Sequence, residues 1–281
     1  CGSNAYKQQK GLPMRKYQNR SILLIAVFGA FFLSIMYVNP YSGTITLSEL
    51  ILQLGGSRGE FALSFSMTEL LSFAMRLMPF FVLECYIGIA VYRHFCTASI
   101  YVFSRYPNRR KWYWREMISV GGEIMIFQGV LLFITILISM ARYQVVVDKE
   151  GIILAVYYYI IYAVWVYKIT VIINLAALWL GSSTAYAVVL GVQMIEITLL
   201  SVTDLWYGYG MLKYNPISRL VLGWQGSRIE SLNHVLLQPY DGLDLNASLL
   251  FEVITCGILL AVGSVIVRKH NLLISDSETG V

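Results

Sequence analysis

Residues Gly151 to Leu180 read GIILAVYYYIIYAVWVYKITVIINLAALWL, with one charged side chain, Lys168, and no proline. A helix needs about 20 apolar residues to cross the hydrocarbon core of a bilayer. This run exceeds that length, so it predicts a spanning helix that tilts or extends past the bilayer. Lipid tolerates only helices or closed barrels, and the run lacks the alternation of barrel strands.

Five more runs of this kind flank it. The first is Ser21 to Val38. The second is about Glu69 to Tyr92 and contains Arg76, Pro79 and Glu84. The third is Met117 to Ala141, the fifth Thr184 to about Trp206, and the sixth Ser248 to Val267. The predicted fold is all-α: a polytopic membrane protein with six transmembrane helices, forming one transmembrane domain over residues 1–281.

Composition agrees. The chain is 57% hydrophobic and 13% charged, about half the charge of an ordinary soluble domain. The net charge of +5 gathers at the ends of apolar runs, which fits a membrane protein better than a nucleic-acid binder. The four cysteines form no CxxC pair and no Cys/His cluster, so neither a zinc site nor a disulfide framework is indicated. Cys1-Gly2-Ser3-Asn4-Ala5 reads as a cloning remnant rather than the front of a lipoprotein. The first apolar run is followed by no small-residue cleavage site and reads as an anchor.

The connecting segments are unequal. Asn39 to Thr68 opens on an Asn39-Pro40 turn signal. Segment 93–116 is strongly basic, Gly181 to Ser183 is a tight turn, and 207–247 is the longest loop. With the N-terminus inside, the inner segments hold Lys7, Lys10, Arg15, Lys16, Arg20, Arg93, Arg105, Arg109, Arg110, Lys111, Arg115, Arg268 and Lys269. The outer ones hold Arg58, Arg142, Lys149, Lys213, Arg219 and Arg228. Thirteen against six predicts cytoplasmic termini. Aromatic anchors such as Tyr37, Trp112, Trp114, Trp179 and Trp206 lie near run ends, where interfacial rings belong.

No catalytic constellation is evident. The histidines are His94, His234 and His270, none mid-span, and there is no HExxH, GxSxG or GxxxxGK[ST] sequence. Asp241 and Asp244 read as a solvated loop before the sixth span. No loop is long enough for a nucleotide-binding domain. The chain is therefore not expected to be an enzyme. No cofactor or metal site is expected on it, and if the protein uses ATP, a separate chain must supply it.

Charges inside the runs are Arg76, Glu84, Glu123, Lys168 and Glu196. Each costs at least about 2.5 kcal/mol at a helix centre, so such residues face a protein interior or water. Two readings stand: a polar transport path or its gate, and simple pairing or snorkelling. Within segment 93–116, the part carrying Phe95, Ile100, Tyr101 and Phe103 predicts a short helix, stopped around Pro107, with Asn108 capping the third span. Such a helix docks on a partner surface or lies on anionic headgroups. Both remain open.

The plan of the chain resembles a known family. It has a basic N-terminal segment, one span, an outer loop, a second span, and an inner loop of the form short helix then Ser-Arg-x-Pro-x-Arg-Arg-x-Trp (Ser104 to Trp112). Four more spans follow, with the largest outer loop before the last. This is similar to permease subunits of type-2 ABC exporters, particularly bacterial ones that move bacteriocins and lantibiotics. The local match covers Phe103 to Trp112 and Asn215-Pro216-Ile217-Ser218-Arg219. The resemblance implies a coupling helix, with Phe95, Ile100, Tyr101, Phe103 and Arg105 docking on a separate ABC ATPase. It implies a helix along the inner membrane surface before the first span, with Gly11 and Pro13 limiting it. It also implies short helices in 207–247 capping the exit. Two permease copies, or two related chains, would meet through the first and fifth spans, where Gly29, Ala30, Ala185, Ala187 and Gly191 are small. The substrate would be a peptide or other amphipathic molecule, the location the bacterial cytoplasmic (inner) membrane, and lipids the other partner. A second reading is a stand-alone immunity or sensor protein that binds a toxic peptide.

Overall fold

The structure, a computed structural model, describes residues 13–40, 43–56, 67–101, 109–200, 213–236 and 243–269. Helix α1 is Pro13–Tyr37, followed by strand β1 (Thr44–Thr46), α2 (Leu47–Gly55), α3 (Met67–Arg76) and α4 (Met78–Tyr101). Then come α5 (Arg109–Arg142), strand β2 (Gln144–Val146), α6 (Lys149–Leu180), α7 (Ser182–Leu199), two 3-10 turns (Ile217–Leu220 and Leu222–Trp224), α8 (Glu230–Leu236) and α9 (Leu245–Lys269). The protein is an all-α membrane protein. Helices α1, α5, α6, α7 and α9 are each long and apolar enough to cross a bilayer, and the pair α3–α4 makes a sixth if counted as one span.

Helix α6 is the axis of the bundle. Its 32 residues are about 48 Å long, well beyond the roughly 30 Å hydrocarbon core. It packs against α2, α4, α5, α7 and α9, and it buries Tyr158, Tyr162 and Trp165. The surrounding helices turn apolar faces outward: Phe28, Phe31 and Ile35 on α1, Ile126 and Phe133 on α5, Val192 and Ile195 on α7, Ile254 and Ile258 on α9. Lipid is the natural solvent for such faces.

Two rows of contacts join α5 to α6. The Tyr167 ring lies 3.6 Å from where a Cβ on Gly121 would be, and its hydroxyl donates to the Met117 carbonyl at 3.0 Å. The Tyr159 ring lies equally close to Gly129, and its hydroxyl donates to the Met125 carbonyl at 3.1 Å. In each row the accepting carbonyl is four residues before the glycine. A missing side chain exposes the backbone that the tyrosine then caps.

At one end of the bundle the helices are tied together. Strand β1 pairs in parallel with β2, Thr44 opposite Gln144 and Thr46 opposite Val146. Asp148 caps α6 by accepting from Gly151 N at 3.1 Å, and its other oxygen accepts from Ser48 N at 3.0 Å in the first turn of α2. One carboxylate thus serves two helix N-termini, each with unmet N–H donors. Gly151 permits the approach, because a Cβ there would fall 2.5 Å from Ser48 N.

Several expectations are corrected. The second span is not one straight helix: α3 and α4 meet at Leu77 with a bend of 49°. Pro79 lacks an N–H, so the intrahelical ladder lapses in the first turn of α4. The stretch 93–101 is not a separate short helix but the direct continuation of α4. Of the segment before the first span, residues 13–20 form no separate helix, since α1 runs unbroken from Pro13; residues 7–12 lie outside the described residues. Segment 39–68 is more than a loop: its helix α2 is buried along nearly its whole length, with Leu47, Leu50, Ile51 and Leu54 in the core. The turn between the fourth and fifth spans shrinks to Gly181, whose φ of 77° suits glycine. Helix α7 ends at Leu199, short of the expected Trp206; residues 201–206 lie outside the described residues. Finally, Gly29, Ala30 and Ala185 are buried within the chain. A Cβ on Gly29 would sit 2.8 Å from Pro79 Cβ, so this small residue serves α1–α4 packing. Of the five small residues, Ala187 and Gly191 face outward.

Candidate functional site: a buried charge cluster

Three spans and the segment 213–225 bring charged side chains together inside the bundle, and a fourth span adjoins them through an amide. Lys168 of α6 forms a buried ion pair with Glu252 Oε2 of α9. Burying either ion alone would cost several kcal/mol, and mutual attraction offsets that cost when geometry is good. Glu196 of α7 is half-buried beside them, within electrostatic reach of both Lys168 and Glu252. One turn away on α7, Gln193 donates from Nε2 to both carboxyl oxygens of Glu84 on α4, at 3.3 and 3.1 Å. Both of these side chains are buried.

The segment 213–225 bonds to α6, α7 and α9 beside the cluster. Residues Ile217 to Gln225 are buried without exception. Asn215 builds the local turn: its Oδ1 accepts from Ile217 N at 2.9 Å, and its Nδ2 donates to the Glu196 carbonyl at 2.8 Å. Tyr162 donates to the Leu220 carbonyl at 3.1 Å, and Gly223 N donates to the Gly56 carbonyl at the end of α2, also at 3.1 Å. Arg219 points toward α9. Its Nη1 donates to Ser248 Oγ at 3.3 Å, its Nη2 donates to the Lys213 carbonyl at 2.7 Å, and its guanidinium stacks 4.0 Å from the Phe251 ring centre. Lys168 Nζ stands 6.0 Å from the same ring.

Of the sequence-predicted set, Lys168 and Glu196 belong to this cluster, and Glu84 adjoins it through Gln193. Arg76 does not: it is buried at the α3–α4 break with its guanidinium 4.6 Å from the Tyr37 ring centre. Glu123 is half-buried on α5. Phe95, Ile100 and Tyr101 lie on the C-terminal extension of α4, where only the backbone is described. Phe103 and Arg105 lie outside the described residues.

Glu252, Gln193 and Arg219 are missing from the sequence-derived set. Glu252 carried the signal of a charge within an apolar run. Gln193 and Arg219 did not, because one is uncharged and the other stands in a loop. Among the described residues no group of three or more His, Cys, Asp or Glu side chains could hold a metal ion. The arrangement can hold charge away from water and join the segment 213–225 to three spans.

No family model, curated protein or solved structure matches the chain.

Proposed function

We propose that the chain is the membrane-spanning permease subunit of a type-2 ABC exporter, working with a separate ATPase to move a peptide or other amphipathic substrate. The observation that carries the reading is the inner end of α4 and α5. Helix α4 runs on through 93–101 and α5 begins at Arg109, so each continues about 12–14 Å as helix beyond its apolar stretch. Segment 102–108, with Arg105, joins them, and Arg93, Arg109, Arg110, Lys111 and Arg115 stand on the two helical extensions. A projecting, positively charged helical tip suits a docking element better than a loop resting on lipid.

Six crossings support the same reading. Strands β1 and β2 are paired, so the ends of α1 and α5 lie on one face of the membrane. Helix α5 crosses between those faces once. The bent pair α3–α4 must then cross once as well. The contact between Gly223 and Gly56 supports putting segment 213–225 on that same face, with α6 and α7 each crossing. Both termini then lie on the opposite face, the cytoplasmic one by the Lys/Arg bias.

In this proposal ATP and magnesium stay on the partner. The inner tip, with Phe95, Ile100, Tyr101, Phe103 and Arg105, passes the ATPase motion to the spans. Glu84, Lys168 and Glu196, with Arg76 and Glu123 at a distance, set which parts of the bundle move together. A second copy or related chain completes the path. The outward small residues Ala187 and Gly191 allow close approach there.

The test is purification with the native neighbours in mild detergent. A stoichiometric ATPase that is lost when residues 95–105 are altered is the expected result. A monomer with no ATPase would overturn the proposal in favour of a stand-alone immunity or sensor protein.

A further inference from the structure

Glu252 meets its buried charge with Lys168. Glu84 on α4 has no such answer. Its side chain is fully enclosed, and among the described residues its hydrogen-bonding partner is a neutral amide, that of Gln193 on α7. The amide Nε2 sits between the two carboxyl oxygens, 3.3 Å from Oε1 and 3.1 Å from Oε2. Gln193 is itself 1% exposed, and its Oε1 is buried with no hydrogen-bond donor. The pair therefore holds a carboxyl without a cation beside an amide acceptor without a proton.

The charged and titratable side chains of the helices around α4 are engaged elsewhere. On α6, Lys168 is taken by Glu252 and Tyr162 donates to the Leu220 carbonyl. On α7, Tyr186 donates to the Phe81 carbonyl at 3.0 Å, and Glu196 is a further acid. At the end of α3, Arg76 stacks on the Tyr37 ring, and on α1 Arg20 is exposed. The next cation along α4 is Arg93, more than two helical turns on. Among the described residues no cation is placed to neutralise Glu84.

A carboxylate in such an interior loses its hydration and gains no counter-charge, and one amide does not replace both. A proton completes the pair. The acid O–H then donates to Gln193 Oε1, while Nε2 donates to the remaining Glu84 oxygen. Two reciprocal hydrogen bonds close a ring, and the orphaned acceptor is satisfied. Because Nε2 already lies between the two oxygens, a turn of the amide about its last torsion is enough.

We propose that Glu84 and Gln193 form a proton-binding site that joins α4 to α7, in which Glu84 binds one proton from the aqueous phase and closes a reciprocal acid–amide pair with Gln193. One O–H bond forms on Glu84, water supplies the proton, and no other group changes. Proton occupancy and helix contact are then linked: a movement that parts α4 from α7 and admits water breaks the pair and lets the proton leave. The inference does not depend on an ATPase or on what the chain moves.

The test is infrared spectroscopy of the full-length protein in lipid nanodiscs, stepped from alkaline to mildly acid pH and read at the C=O stretch of protonated carboxylic acids. Glu84→Gln removes the acid but keeps an amide to pair with Gln193. Gln193→Leu keeps the acid but removes its partner. The expected result is a carboxylic-acid band in the unaltered protein that is lost in Glu84→Gln and moves to higher frequency in Gln193→Leu. If the unaltered protein and Glu84→Gln give the same spectra in this region, Glu84 binds no proton and the site is wrong. If the band is lost in Glu84→Gln yet keeps its frequency in Gln193→Leu, the acid is not paired with Gln193 and the proposal falls as well. Should Glu84→Gln not purify as a folded protein, the Gln193→Leu comparison decides alone. Gln193 bonds to no other carboxyl among the described residues, so an unshifted spectrum overturns the site.

Discussion

Lys168 and Glu252 stand 84 positions apart in the chain and share one ion pair, so neither charge is explained alone. Removing one partner leaves an uncompensated ion in the bundle. Lys168→Met should destabilise the protein by about 3–5 kcal/mol, whereas Lys168→Met with Glu252→Met should recover most of that loss. Equilibrium unfolding in mixed micelles, arranged as a double-mutant cycle, measures the difference. Gly263 offers a second residue-level test. A Cβ there would clash with the Tyr113 hydroxyl oxygen. Gly263→Ala should cost about 1–3 kcal/mol, and Tyr113→Phe, which deletes the clashing oxygen, should restore part of it. Both glycine and tyrosine are visible in the sequence. That they meet is not, because α5 and α9 come together only through packing.

The elements show which local signals were legible. Thr46-Leu47-Ser48-Glu49 is a capping-box sequence, and Thr46 Oγ1 does accept from Glu49 N at 3.2 Å to start α2. The signal marks a helix within a segment whose polar flanks suggest a loop. Asp148 is likewise a recognisable cap before the long run of α6, but its second bond, to Ser48, joins residues 100 positions apart. Asp148→Ala should cost about 1–2 kcal/mol by freeing both helix ends. Its carboxyl titrates below the ordinary aspartate range: partial burial pushes it up, and hydrogen bonds from Ser48 and Gly151 outweigh that. The native state therefore binds fewer protons than the unfolded chain near the ordinary value of 3.8. The stability it adds is present above that value and fades as pH falls through it. Asp148→Asn should flatten this acid limb of the stability–pH curve. On α6, Tyr159→Phe and Tyr167→Phe should each cost about 0.6 kcal/mol, as single hydrogen bonds within a membrane bundle do, again by equilibrium unfolding.

At the scale of the whole molecule, the tip between α4 and α5 and the cap made by β1, β2 and segment 213–225 belong on opposite faces. With native cysteines replaced, single cysteines at Thr44 and Val147 should react with an impermeant maleimide from one side, and one at Arg110 from the other. Labelling of all three from one side would remove the six-crossing reading. The apolar spans and their approximate limits follow from the sequence alone, because a hydrocarbon solvent demands long runs without charge and the runs are unambiguous. The inside bias of Lys and Arg is equally local. The break at Leu77 was foreshadowed by Pro79, but its angle depends on how α3 and α4 pack against their neighbours. The charged cluster needed the tertiary structure. A charge in a span announces that it must be satisfied, yet its partner can lie on any other helix, and here Glu84 found an amide, Lys168 a carboxylate nearly a third of the chain away, and Arg76 an aromatic ring. The same holds for segment 213–225: its apolar residues said that it would be covered, and only the arrangement of α2, α6, α7 and α9 decided that it would be covered by the bundle itself.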